Sequence, residues 1–185
     1  MAETKPEPEV EADATVALLA VSASTTKGYP HPSQSSTHAL EWTLEKLIKK
    51  SSRNDFKLLL LHVQVPDEDG LDEVDSIYAT PADFNEAHEN DRLKCLQLLK
   101  FYVSKCHEAQ VSCRAWIKQG DAKDVICREV HRLKPDILIL GSRGLGPLQR
   151  MFVGGVSDYC AKKVDCPVLV IKRRPEDMPD DASED

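Results

Sequence analysis

The sequence predicts an α/β fold, an open parallel five-stranded sheet with helices on both faces. Segments typical of strands and segments typical of helices alternate along the chain, and this order implies parallel strands joined by right-handed crossovers. Most of the strand-like segments are continuously apolar, as expected for strands that are buried on both faces. The chain has 185 residues, of which 41% are hydrophobic, enough for one domain with a sizeable core.

A strand, a loop and a helix are predicted at the start of the domain. Residues 15–21, TVALLAV, form a short apolar run typical of a buried strand. The segment 22–36 is interpreted as a loop, and the helix expected over 37–50 has Ser35 or Ser36 as its N-cap. The residues expected on the inner face of this helix are Leu40, Leu44, Leu47 and Ile48.

A second buried strand and a long helix flank an acidic segment. The strand is predicted over 56–65, FKLLLLHVQV, and the helix over 82–109. Residues 66–81 between them are acidic and bounded by turn residues, so they are interpreted as a long loop, a kind of segment that is usually functional or mobile. The inner stripe of the helix is predicted to consist of Leu93, Leu96, Leu99, Val103 and Cys106.

An edge strand and an amphipathic helix are predicted next. Residues 111–119, VSCRAWIKQ, alternate between apolar and polar side chains, which is typical of a half-exposed strand at a sheet edge. Asp121 is expected to cap a helix over 122–134. The residues expected on its inner face are Ile126, Val130 and Leu133.

Two further strands and a helix complete the sheet. PDILIL, residues 135–140, predicts another buried strand. A last helix is expected to start near Ser157 or Asp158, and the short strand PVLVI, residues 167–171, closes the fold.

The termini outside the domain, which spans 15–173, are polar. Residues 1–14 and 174–185 are acidic and are predicted to be disordered tails. The start of the chain lacks the basic and apolar pattern of a secretory signal and is too acidic for a transit peptide. No apolar run approaches the roughly 18–20 residues that span a bilayer, so we expect no membrane association and a cytoplasmic location, with the nucleus as an alternative.

Charge and cysteine usage exclude further classes. The net charge is −7 and no long block of Lys and Arg occurs, which argues against nucleic-acid binding. None of the six cysteines has CxxC spacing or the neighbouring histidines of a zinc pattern. Reduced structural thiols are therefore favoured over a metal or redox site, and they fit the cytosol.

The stretch LILGSRGLGPLQRMFVGGVS, residues 138–157, suggests a site for phosphate. Gly141 directly follows the predicted strand, Gly144 comes three residues later, and a glycine pair precedes the start of the next helix. Glycines allow successive backbone N–H groups to point into one concavity. A helix N-terminus adds free donors and a partial positive charge. Arg143 and Arg150 could add charge or simply face solvent.

Known phosphate-binding patterns do not match this stretch. Gly141 and Gly146 have the Walker A spacing, but Pro147 and Leu148 follow instead of Lys and Ser or Thr. The dinucleotide pattern GxGxxG begins at Gly144 and then fails. From the residues alone, phosphate binding and a plain surface loop both stay open.

The combination of GSRGLG, a nine-residue spacing, GGVS and CPVLVIK resembles the universal stress protein family. The similarity covers nearly all of residues 15–173, and within the family it is to plant universal stress protein A-like proteins. The resemblance implies a Rossmann-like sheet of strand order 3-2-1-4-5 and membership of the nucleotide-binding branch. It also implies a role in stress response, with ATP or AMP as ligand and Mg²⁺ as an optional companion.

The resemblance implies a set of nucleotide-binding residues. The end of the first strand would line adenine and ribose through Ala20, Val21, Ser22 and Ala23. The backbone of Val63 would meet the adenine. Ribose and phosphates would be wrapped by Gly141, Ser142, Arg143 and Gly144. The phosphates would be held by Gly154, Gly155, Val156 and Ser157.

This chain departs from the family pattern at two of these positions. Many nucleotide-binding members carry Asp at the position of Ser22, so the hydrogen bond is kept here and the charge is lost. The family has Ser or Thr at the position of Gly155, where this chain keeps only a backbone N–H. A hydrogen bond to a charged group is worth roughly 1.5–3 kcal/mol, so the second departure weakens the phosphate end and lets AMP or ADP compete with ATP.

No catalytic pattern accompanies the predicted site. The six histidines are scattered, and His62, within an apolar strand, is favoured as a hydrogen-bonded wall residue over a catalytic base. The acidic segment 66–81 does not have the spacing of an EF-hand loop. We therefore expect a binding protein, with a slow ATPase or phosphotransferase and a nucleotide-independent interaction module or holdase as the alternatives.

The last strand predicts a dimer. Residues 168–171 are apolar at every position, although the strand order of the family would make this strand an edge. Edges of soluble monomers usually carry charge or alternate, as 111–119 does. A two-fold homodimer through 167–172 would cover this strand, and the alternative is that the C-terminal tail folds over it.

Overall fold

The structure, a computed structural model, describes residues 14–65, 81–142 and 155–172. The predicted tails and the predicted acidic loop lie outside these residues, apart from one boundary position of the first tail and one of the loop. So does most of the glycine-rich stretch. The prediction of three segments, a domain between two tails, therefore stays a prediction.

Seven strands and four α-helices build the described chain. The strands are β1 (Thr15–Val21), β2 (Ala23–Ser24), β3 (Gly28–Pro32), β4 (Phe56–Gln64), β5 (Cys113–Gln119), β6 (Ile137–Ser142) and β7 (Val168–Lys172). The helices are α1 (Gln34–Trp42), α2 (Pro81–Glu108), α3 (Ala122–Leu133) and α4 (Val156–Lys163).

Five of the strands form one parallel sheet in the order β5-β4-β1-β6-β7. Counted along the chain, this is the third, second, first, fourth and fifth strand of the sheet, as the resemblance implied. The central strands are continuously apolar because both of their faces are covered. The fold class and the strand order are therefore confirmed.

Helices cover both faces of the sheet, as predicted. On one face, α1, α2 and the β2–β3 hairpin close a core that contains Leu40, Leu98 and Tyr102. On the other face, α3 and α4 close a second core around Ile126 and Cys160. Among the described residues, no helix is long and apolar enough to cross a membrane.

The segment 22–36 is not a plain loop, and the prediction there is wrong. Strands β2 and β3 form an antiparallel hairpin after β1. Gly28 has a φ of +64°, a conformation that glycine adopts without steric cost. The strands are two and five residues long, and β3 contains two prolines, so no alternating pattern marks them in the sequence.

The first helix starts earlier than predicted. Its N-cap is Ser33, not Ser35 or Ser36, and the Ser33 hydroxyl accepts a hydrogen bond from the Ser36 N–H. After Trp42 the helix widens into a π-turn, Thr43–Leu47, where the Thr43 hydroxyl donates to the Ala39 carbonyl at 2.7 Å. The predicted inner face is confirmed, because all four of its residues belong to the first core.

The inner stripe of α2 was predicted only in part. Leu99 and Cys106 are buried, but Leu93 is 53% exposed and Leu96 is 46% exposed. Each step of three residues falls about 60° short of a full helical turn, so a stripe that repeats such steps drifts off the buried face. The residues of this helix that are buried in the core are Cys95, Leu98, Leu99, Tyr102 and Cys106.

The remaining elements match their predictions closely. Asp121 caps α3 by accepting from the N–H groups of Lys123 and Asp124. The strand predicted over 135–140 is shifted to Ile137–Ser142, so Gly141 lies within the strand and does not follow it. Residues 141 and 142 pair with Ile171 and Lys172 of β7.

Candidate functional site

The carboxyl ends of three neighbouring strands meet at one edge of the sheet. In the parallel register, Val21 of β1 lies opposite His62 of β4, and Ala20 lies opposite Leu140 of β6. This register brings six of the predicted binding positions to one edge: Ala20, Val21, Ser22, Val63, Gly141 and Ser142. In open α/β sheets, ligands bind outside the carboxyl ends of the strands.

Val63 lies where a backbone contact with a ligand could form. The β1–β4 ladder ends at the pair of Val21 and His62, one residue before Val63. On its other side, β4 continues along β5, where Val63 pairs with Lys118. Val63 therefore extends past the end of β1 while β5 holds it in place.

Gly141 is required by packing as well as by any ligand. A Cβ atom at this position would lie 2.4 Å from the Ser35 carbonyl oxygen and 3.1 Å from the Ser36 nitrogen. The first turn of α1 therefore rests directly on the backbone of β6. Sequence reasoning gave this glycine a role at the ligand only, because the contact joins residues 106 positions apart.

Ser22 belongs to a cluster of serines that joins the end of β1 to the start of α1. Its hydroxyl lies 2.9 Å from the Ser33 hydroxyl and 3.2 Å from the Ser36 hydroxyl. Its N–H donates to the Ser36 Oγ at 3.0 Å, and its carbonyl accepts from the Ser33 N–H at 3.0 Å. The residue that replaces the family's Asp is thus part of the helix cap, although it remains exposed.

Tyr102 donates a hydrogen bond to this serine cluster from the first core. Its hydroxyl donates to the Ser22 carbonyl at 3.1 Å, and its ring is fully buried in the first core. Burial raises the pKa of Tyr102 to about 12, against the opposing effect of nearby hydroxyl groups. Tyr102 is therefore a neutral donor at every physiological pH. Sequence reasoning missed it, because nothing in the pattern of α2 marks one buried tyrosine as a site support.

His62 is a hydrogen-bonded wall residue, as the sequence favoured. Its Nδ1 lies 3.0 Å from the Val21 carbonyl oxygen, and its Nε2 lies 2.7 Å from the Tyr29 hydroxyl. Because a carbonyl only accepts, Nδ1 carries the hydrogen and Nε2 accepts from Tyr29. Burial lowers the pKa of this imidazole, although the bond to Val21 opposes the change. The neutral ring ties the β2–β3 hairpin to the site edge.

The phosphate end of the predicted site is described only in part. Gly155 is the N-cap of α4 and makes no side-chain cap hydrogen bond, while Val156 and Ser157 form the first turn. The helix packs against β6 and β7. An uncapped first turn presents backbone N–H groups and the positive end of the helix dipole. Three predicted residues lie outside the described part of the chain: Arg143, Gly144 and Gly154.

No metal centre is formed by the described residues, since none of their His, Cys, Asp and Glu side chains gather in a group of three or more that could hold an ion.

Fold and site together define a parallel α/β protein with a candidate ligand-binding edge and a helix beside it that has no side-chain cap. The sequence profile of the universal stress protein family matches residues 28–172, most of the chain. A universal stress protein A-like protein from Arabidopsis thaliana is 56% identical over 171 residues, which cover 92% of this chain and 97% of that protein. The chain belongs to the universal stress protein family.

Solved structures of relatives agree with this assignment. The crystal structure of a universal stress protein family protein from Arabidopsis thaliana, with AMP bound, is 50% identical and has a TM-score of 0.67. The match covers 92% of this chain and 99% of that one. A universal stress protein from Lactobacillus plantarum, at 19% identity and a TM-score of 0.57, covers 87% of this chain and 99% of its own and shares the fold.

Proposed function

We propose that this protein binds an adenine nucleotide, AMP or ATP, without turning it over, and acts in stress response. The observation that carries the proposal is the match to the AMP-bound Arabidopsis structure across 92% of this chain. The sequence pattern predicts that the nucleotide binds at the strand ends and the start of α4.

In the proposed complex, the sheet edge holds the nucleoside and α4 holds the phosphate. The backbone of Val63 meets the adenine, and residues 20–23 line the adenine and ribose. The hydroxyl of Ser22, held by Ser33 and Ser36, offers a hydrogen bond to the ribose. The first turn of α4 donates backbone N–H groups to the phosphate, and the Ser157 hydroxyl adds a further donor.

The proposal includes similar affinities for AMP, ADP and ATP. Gly155 supplies no hydroxyl to the phosphates, and a hydrogen bond to a charged group is worth roughly 1.5–3 kcal/mol. Ser22 brings no charge that would help to place a metal ion. AMP and ADP should therefore bind about as well as ATP, and Mg²⁺ should change the affinity little.

The non-catalytic part of the proposal rests on His62. Of the six histidines, it lies at the site edge, and both of its ring nitrogens hold structural hydrogen bonds. A general base needs a free nitrogen within reach of the proton that it takes. A slow ATPase would instead release phosphate after repeated purification and lose this activity on Ser157→Ala.

We also propose that the protein is a cytoplasmic homodimer paired through β7. This strand is the last in the sheet, and its residues 168–170 are only half-buried although they are apolar. The opposite edge, β5, carries Arg114 and Lys118. Light scattering should give twice the chain mass of 20.6 kDa, and a species of the single chain mass at micromolar concentration would contradict the dimer.

Calorimetric titration of nucleotide-stripped protein tests the proposed binding. AMP, ADP and ATP should bind with micromolar affinity, with and without Mg²⁺, and adenosine should bind more weakly. Ser157→Ala should lower the affinity for AMP. The matched variant Ser104→Ala, at an exposed position of α2, should leave that affinity unchanged. Absence of heat for every nucleotide at two temperatures would contradict the proposal and favour a nucleotide-independent interaction module or holdase.

A further inference from the structure

Two cysteine thiols of different helices meet behind the proposed site. The Sγ atoms of Cys127, in α3, and Cys160, in α4, lie 3.9 Å apart. The sequence gives no sign of this pair, since 33 residues separate the two positions. A disulfide needs the sulfurs to approach to about 2.05 Å, so the two side chains would have to rotate towards each other to form one.

The two thiols differ in access. Cys160 is fully buried in the second core, and burial raises the pKa of its thiol to about 12. Cys127 is half-buried and lines a surface groove of about 440 Å³. A reagent from solvent therefore reaches Cys127 first, and Cys160 is reached only through it.

Several charged or titratable side chains line the groove beside Cys127. His131 follows one turn later on α3, and Lys134 and Lys163 line the same groove. Asp165 is the acidic residue among its lining residues. Reactive redox cysteines are accessible thiols with a resolving partner beside them, as Cys160 lies beside Cys127.

We propose that Cys127 and Cys160 are a modification site, a dithiol that a hydroperoxide oxidises to an intramolecular disulfide. The Cys127 sulfur attacks one oxygen of the peroxide and the O–O bond breaks, so that Cys127 becomes a sulfenic acid while the leaving oxygen takes the thiol proton as water or an alcohol. The Cys160 sulfur then attacks the sulfenic sulfur, so that the S–S bond forms and the S–O bond breaks. The second water carries away the thiol proton, and one peroxide is reduced for two thiols oxidised.

The disulfide would fasten α4 to α3. Ser157 lies three residues before Cys160, one turn along the same short helix. A crosslink there would hold the first turn of α4, and it would alter AMP affinity if the proposed nucleotide site exists. Only this consequence rests on the proposed function; the oxidation itself does not.

Thiol mapping of the folded full-length chain tests the site without any nucleotide. Reduced protein is treated with hydrogen peroxide, blocked with a maleimide and digested without reductant, and the peptides are identified by mass spectrometry. We expect a linked peptide that contains Cys127 and Cys160, the loss of two free thiols per chain, and full reversal by dithiothreitol. Peroxide treatment that leaves both thiols free would overturn the proposal.

Variants distinguish this pair from its neighbours. Cys127→Ser should abolish the linked peptide, whereas Cys160→Ala should leave a sulfenic acid at Cys127 that dimedone traps. Cys113→Ser is the matched control, because Cys113 forms the other hydrogen-bonded thiol pair with Cys106, on the opposite face of the sheet. Its oxidation pattern should equal the wild type. A link from Cys106 to Cys113, or from Cys127 to Cys166, in place of the expected one would overturn the proposal.

Discussion

On the β1 side of the candidate site, polar side chains already hydrogen-bond to one another, whereas the α4 side has no side-chain cap. The β1 side consists of Ser22, Ser33, Ser36, His62 and Tyr102, which are joined to each other or to Tyr29 and Val21. The α4 side begins at Gly155, whose helix starts without a side-chain hydrogen bond. The β1 side is therefore pre-organised by its own hydrogen bonds, whereas the backbone N–H groups at the start of α4 are left to bind a ligand.

Because of this difference, we expect the β1 side to determine mainly the stability of the fold and the α4 side to determine mainly the affinity for a ligand. Hydrogen bonds within the β1 side hold the hairpin, α1 and α2 at the sheet edge, so changes there should lower the free energy of unfolding. Changes at the start of α4 should leave the fold intact and act on the affinity for phosphate. Four experiments test this separation.

The largest effect is expected from the same substitution made on each side. Gly141→Ala puts a methyl group 2.4 Å from the Ser35 carbonyl oxygen, and overpacking of this kind costs about 3 kcal/mol. Gly155→Ala meets no atom within 4 Å, so it should cost only the preference for glycine over alanine at an N-cap, about 0.5–1 kcal/mol. Urea unfolding compares the two variants. Equal losses of unfolding free energy in the two variants would contradict the expectation that only the first position is needed for stability.

Restoring the family's hydroxyl on the α4 side should strengthen binding. Gly155→Ser has room for the side chain and adds a donor for the phosphates, which should tighten AMP binding by about 1.5–3 kcal/mol, roughly tenfold or more. Adenosine, which has no phosphate, should bind as before. Calorimetry measures both ligands, and an equal gain for adenosine would show that the hydroxyl does not act at the phosphate.

Removing one donor from the β1 side should lower stability moderately. Tyr102→Phe deletes the hydrogen bond to the Ser22 carbonyl and should cost about 1 kcal/mol of unfolding free energy. The ring still fills the core, so the fold should persist. Thermal unfolding measures the loss, and an unchanged midpoint would mean that the hydrogen bond from Tyr102 to Ser22 contributes nothing to stability.

The smallest effect is a dependence of stability on pH. His62 has a lowered pKa in the folded state, so the unfolded state takes up the proton first as the pH falls. The stabilisation is complete above the ordinary pKa of 6.5 and is lost as the pH falls from there through the folded pKa. His62→Gln should remove this part of the slope in unfolding free energy. An identical slope in both proteins would place the pH dependence elsewhere.

The sheet could be predicted well from the sequence, whereas the hydrogen-bonded β1 side of the candidate site could not. Runs such as LLLLH in β4 are apolar because both faces of the sheet are covered, and this pattern is local. The β2–β3 hairpin has no such pattern, since both of its strands are short and β3 contains prolines. Leu93 and Leu96 show that apolar side chains alone do not fix the rotation of a long helix.

The candidate site could be predicted only where its residues form a pattern within one short stretch of the sequence. The glycine spacing, the start of α4 near Ser157 and the position of Val63 after a strand are readable from one stretch at a time. The link of Tyr102 to Ser22 spans 80 residues and that of His62 to Tyr29 spans 33, so both depend on the folded sheet. Ser33 was missed because two neighbouring serines are equally good caps by sequence.

Amide chemical shifts of isotopically labelled protein, followed during an AMP titration, test nucleotide binding at this edge most directly. The account predicts shifts that saturate together at Val63 and at Val156 and Ser157, with small changes at Cys113 on the edge strand. Shifts that are absent, or that gather away from the carboxyl ends of β1, β4 and β6, would contradict it.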